Sequence, residues 1–186
     1  PESNRLPYVP STANSITACP ENIDFEFGSF LNWKCFIGRV DSIGSTNVIS
    51  VNPSPPTINR HTLINRVLPS PIDPYGLFPT NPPDGSNFAV KLGNTRIGAQ
   101  AERIQFPIRV PLNDSNFSLK YNYAVVFEDP GHTIWTQPRF TVRLLDSATN
   151  TYVDCASFEY ISTSNLPGFT RSTVDTGVVY KPWSSV

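Results

Sequence analysis

At 186 residues, with 39% hydrophobic and 16% charged, the chain can bury a core and is not a disordered polyampholyte. Its formal net charge is −1 and its 14 Lys and Arg are scattered, which removes the basic footprint of a nucleic-acid binder. No apolar run approaches the ~20 residues that span a bilayer, and 19 prolines leave no helical apolar pattern beyond short turns.

Residues 1–20, PESNRLPYVPSTANSITACP, read as an extended, proline-punctuated lead-in. Residues 21–186 read as one β-domain without internal repeat. The chain has no Met and no basic-then-apolar leader, so it reads as a mature or excised piece with any signal peptide upstream. The first expected strands are IDFEF (23–27), KCFIGRV (34–40), NVISV (47–51) and HTLINRVL (61–68). Residues 69–87, with six prolines and two glycines, are expected to form a long loop. Clear alternation follows. In ERIQFPIRV, Ile104, Phe106, Ile108 and Val110 share one face, and Pro107 on the other points to an edge or a bulge. In FSLKYNYAVVFE, Phe117, Leu119, Tyr121, Tyr123, Val125 and Phe127 point one way. In RFTVRLLD, Phe140, Val142 and Leu144 alternate with Arg139, Thr141 and Arg143. A strict period of two with one greasy face marks antiparallel sheets that cover a core on one side. About ten such strands separated by turns predict an all-β sandwich or barrel.

The stretch Glu-Asp-Pro-Gly-His (128–132) brings two carboxylates close to one of only two histidines. Adjacent strand residues face opposite ways, so Glu128 and Asp129 cannot both serve His132. Pro130-Gly131 is a turn dipeptide. The motif therefore reads as a turn carrying a surface His, with a ligand-contacting loop as the alternative. Glycosidase chemistry needs two carboxylates ~5–10 Å apart, and Glu26, Asp73, Asp84, Glu102, Glu128, Asp129 and Asp146 offer no pair of convincing spacing. No catalytic residue is assigned. Cys19, Cys35 and Cys155 form an odd set without CxxC, which argues against zinc. Cys19 and Cys35 could close a short loop worth ~3 kcal/mol. Cys155 is then a buried free thiol, or its partner lies on sequence beyond this chain; three reduced buried thiols are the remaining option. Trp33, Tyr75, Phe78, Trp135 and Trp183 fall near turns or in loops, where sandwiches display binding surfaces. Core or turn packing is the plainer role for each Trp. Tyr75 and Phe78, in the proline-rich loop, are the best exposed candidates for a sugar platform, and His132 and Trp135 border a second surface.

Several blocks carry a resemblance. IDFEFGSFLNWKCFIG (23–38) resembles the "F-E-x-G-x-x-x-x-W" opening of jelly-roll modules in very large surface proteins of gliding and other Bacteroidota, which are exported by type IX secretion. HTLINR (61–66), DPYGLFP (73–79), FAVKLGNTRIGAQAERI (88–104), YAVVFEDPGHTIWTQPRFTVRLLD (123–146) and VVYKPWSSV (178–186) follow in the family's order. The opening also looks distantly like MAM domains and calcium-bearing carbohydrate-binding jelly rolls. The resemblance implies an antiparallel jelly roll whose closing strands, with a further Cys able to pair with Cys155, lie past Val186. It implies Glu26 as a candidate calcium ligand, the alternative being a solvated or hydrogen-bonded strand residue. It also implies an extracellular, outer-membrane-associated setting. There, Asp41-Ser42-Ile43 and Asp146-Ser147-Ala148 match a short O-glycosylation pattern at Ser42 and Ser147, and the sequons at Asn113 and Asn116 have no role.

The expected function is a non-catalytic adhesion module. It binds surface polysaccharide, or packs as a spacer on neighbouring domains of the same long chain, in indirect association with secretion and motility machinery. One alternative is a carbohydrate-binding accessory module of a secreted hydrolase. The other is a structural filament or capsid-type jelly roll.

Overall fold

The computed structural model describes residues 19–110, 118–163 and 165–186. Most of the 1–20 lead-in, Phe117, and the sequons at Asn113 and Asn116 lie outside them. The described residues form twelve strands: β1 (Lys34–Ile43), β2 (Thr46–Ser54), β3 (His61–Asn65), β4 (Phe88–Leu92), β5 (Gln100–Gln105), β6 (Asn122–Glu128), β7 (Arg139–Val142), β8 (Leu145–Asp146), β9 (Thr151–Tyr152), β10 (Phe158–Ile161), β11 (Thr170–Arg171) and β12 (Val178–Ser185). The only helical element among them is a 3₁₀ turn at Asp154–Ala156. The chain is all-β, and every ladder is antiparallel.

The sheets run β2-β1-β5, β3-β4, β11-β12-β6, β10-β7 and β8-β9. Their pairings are nested. The β1–β5 ladder encloses the β3–β4 hairpin, while β6–β12 encloses β7–β10, which in turn encloses β8–β9. The alternation of 121–127 sets the core: Tyr123, Val125 and Phe127 are buried with Val179 of β12, and Val126 between them is exposed. Phe140, Phe158, Tyr160, Leu166 and Phe169 close over this set. Tyr123 of β6 reaches Phe140 of β7 at 5.7 Å and Phe158 of β10 at 5.3 Å, so these two sheets pack face to face.

Around β1 the interior is knit differently. Buried His61 places Nε2 3.1 Å from the Phe36 carbonyl and receives the Thr57 N–H at Nδ1, 3.3 Å. Arg60 pairs with Glu102 and donates to the Gly38 and Ala101 carbonyls at 3.2 and 3.0 Å, both side chains largely covered. The Arg103 guanidinium lies 3.9 Å from the centroid of Phe36.

Several strand expectations need correction: ERIQFPIRV is a strand only to Gln105, Val110 being exposed, and FSLKYNYAVVFE only from Asn122. Residues 23–27 form successive turns rather than a strand. Asn22, wholly buried with φ 62°, folds the segment around its own amide, which donates to Ser29 and Leu31 (3.1 and 2.5 Å) and accepts from the Phe27 N–H (3.0 Å). The expected 61–68 strand ends at Asn65, because Asn81 bonds Val67 through its amide (2.8 and 3.4 Å) in place of a neighbouring strand. RFTVRLLD breaks after Val142, where the Ser157 hydroxyl takes the Leu144 N–H at 3.2 Å.

Candidate functional site

The stretch 128–139 links β6 to β7. Glu128 is exposed at the strand end, and its carbonyl accepts from Ser162 at 3.1 Å. Asp129 turns the other way, accepting from the buried Gln137 amide at 2.8 Å, while its own N–H donates to Gly177 at 2.6 Å. The two carboxylates do not converge. Gly131 at φ 68° takes the left-handed conformation that lets the chain reverse. Residues 129–133 form an irregular link rather than the expected turn, the hydrogen-bonded turn falling at Thr133–Gln137, and His132, Ile134 and Trp135 are exposed.

That turn is fastened at several points. The Thr136 and Gln137 N–H groups bond the Thr133 carbonyl (2.9 and 3.1 Å), and Asn47 of β2 donates to the Trp135 carbonyl at 2.6 Å. Arg139 donates to the Ile134 carbonyl at 2.9 Å and holds Glu159 at 3.2 Å. Trp135 thus keeps 38% of its surface exposed on a backbone tied to both β2 and β7. Trp33 and Trp183 differ: their indole N–H groups are spent on the Asn22 and Pro79 carbonyls, each at 2.8 Å, and both are half-buried. Sequence reading missed Asn47 and Arg139 as supports, since nothing local signals a bond spanning 88 residues.

Tyr75 and Phe78 are both half-buried rather than projecting. Asp73 caps their turn, accepting from the Tyr75 and Gly76 N–H groups at 3.0 and 2.7 Å. Ser172 bonds the Tyr75 carbonyl at 2.7 Å. The Phe78 ring lies 6.1 Å from Tyr180 and so close to Gly76 that a Cβ there would stand 2.4 Å from it. Phe78 is a packing residue, and Leu77 between the two rings is the exposed one.

Glu26 is exposed, and its carboxylate accepts the Asn22 N–H. It shares a hydrogen bond with Asp24 that lowers the Glu26 pKa and, together with burial, raises that of Asp24. Among the described residues no group of three or more His, Cys, Asp or Glu side chains gathers as a metal site. Cys19 and Cys35 are not joined. Cys35 is buried in β1, where desolvation raises its thiol pKa, whereas Cys19 is exposed. Cys155, expected to be buried if free, is exposed on the 3₁₀ turn. Ser42 and Ser147 are both exposed, Ser42 in β1 and Ser147 beside Asp146, whose carboxyl is held below its usual range by the Ala148 N–H. No family model, curated protein or solved structure matches the chain.

Proposed function

We propose that the chain is a non-catalytic, glycan-binding jelly-roll module of an extracellular surface protein, of the kind its sequence blocks resemble. The observation that carries this reading is the Trp135 turn. It holds an aromatic ring open to solvent on a backbone fastened by Asn47 and Arg139. A pyranose presents a C–H face that such a ring covers, removing apolar surface from water. Fixing the platform beforehand lowers the ordering cost of binding. His132, exposed three residues away, supplies a polar edge for hydroxyls. The nested strand pairings support a jelly-roll path.

On a broad glycan array the protein retains specific sugars, and Trp135→Ala abolishes that signal. As a surface change, Trp135→Ala leaves stability within about 0.5 kcal/mol. A protein that binds no glycan would refute the reading in favour of a spacer that packs on neighbouring domains.

A further inference from the structure

The Trp135 turn runs directly into β7, whose core side is taken by Phe140. Alternation puts Arg139 and Thr141 on the opposite, outer side, where Thr141 stands across from Glu159 of β10, and Arg143, just past the end of β7, lines the same hollow. This outer side is shallow and open. A hollow of about 200 Å³ opens there, lined by Thr141, Val142, Arg143, Ser157, Phe158 and Glu159. Its charges are unequally engaged. Glu159 already accepts from Arg139 at 3.2 Å and from the Thr141 hydroxyl at 3.0 Å. Arg143 is exposed and has no carboxylate partner among the described residues. Its guanidinium lies 5.1 Å from the ring centroid of Tyr152, which is 51% exposed. Exposed aromatics therefore lie on the turn before β7, Trp135, and beside the cation that no carboxylate engages, Tyr152. The strand itself, Arg139 to Val142, covers roughly 10 Å at ~3.3 Å per residue, so an extended ligand is accommodated better than a single compact one.

We propose that this face binds an acidic saccharide, with one ring on Trp135, a carboxylate on Arg143 and a further ring against Tyr152. The proposal rests on the glycan-binding reading above and adds the charge of the ligand and the residue that selects it. A guanidinium offers two parallel N–H groups that match the two oxygens of a carboxylate. Because Arg139 already holds Glu159, Arg143 is left to meet the ligand's carboxylate. Thr141 and Ser157 line the hollow with hydroxyls suited to sugar oxygens.

The test is calorimetric titration with oligogalacturonate and with its methyl ester, which keeps the rings and removes the charge. The acid form binds at least tenfold tighter than the ester, and the preference shrinks as salt is raised. Arg143→Gln removes the preference but retains ester binding, whereas Trp135→Ala weakens both ligands. Equal binding of acid and ester, or a preference that survives Arg143→Gln, overturns the proposal while the glycan-binding reading stands. Absence of binding to either ligand overturns the proposal, and absence of every glycan from the array overturns the reading beneath it.

Discussion

The sheet of β6, β11 and β12 is sealed by rings, and the sheet of β1, β2 and β5 by polar side chains. On the first, Tyr123 touches Phe140, Phe158 and Tyr160, while Phe127 stacks on Phe169 at 5.7 Å and 7°. Such contacts are numerous and individually modest, each pair adding about 0.5–1.5 kcal/mol beyond its burial. On the second, Arg60, Glu102 and His61 carry bonds that depend on particular partners. An apolar cluster loses strength in proportion to what is removed. A buried polar set fails more abruptly, because losing one member strands the other. Even the one polar contact inside the ring cluster, the Tyr123 and Tyr160 hydroxyls at 3.0 Å, serves the apolar side, since burial and that bond raise the Tyr123 pKa and keep it neutral.

The largest expected effect is at the ring cluster. Phe127→Ala should cost about 3–5 kcal/mol in denaturant unfolding, through lost transfer energy and a residual cavity. A cost below about 1 kcal/mol would mean that the cluster is not the core. Arg60→Met should cost about 3 kcal/mol by leaving the Glu102 carboxylate without its cation. The contrast with the ring cluster lies in the second step: adding Glu102→Leu should recover much of that loss, and strict additivity of the two changes would break the distinction. The smallest effect is chemical. Cys19 and Cys155 should react promptly with a thiol reagent, and Cys35 only on unfolding. Prompt labelling of all three, or of none, would contradict the placement of these thiols.

The ring-sealed sheet was readable from sequence because its information is local. The alternation of Tyr121, Tyr123, Val125 and Phe127 names the buried face, while Pro130-Gly131 marks only the end of the strand, the turn itself coming at Thr133–Gln137. The polar-knit sheet was not, because its information lies between distant residues. IDFEF alternates as a strand does, yet the Asn22 amide, reaching carbonyls 7 and 9 residues on, makes it a string of turns. The proline-rich loop looked solvent-facing, but Asp73, Ser172 and the Trp183 indole tie it down and bring Phe78 against Tyr180. Of the proposed site, Trp135 and His132 could be picked out from the turn alone. Arg143 and Tyr152 could not be paired, since they meet beyond the break after Val142, where the Leu144 N–H goes to the Ser157 hydroxyl.

The most direct test of the binding face is a two-dimensional NMR titration that follows the three tryptophan indole N–H resonances as oligogalacturonate is added. Trp33 and Trp183 have their N–H groups committed inside the protein, and Trp135 does not. The resonance that disappears in Trp135→Phe should shift on titration while the other two stay fixed. Movement of the Trp33 or Trp183 signal alone, with Trp135 unchanged, would contradict the assignment of this face.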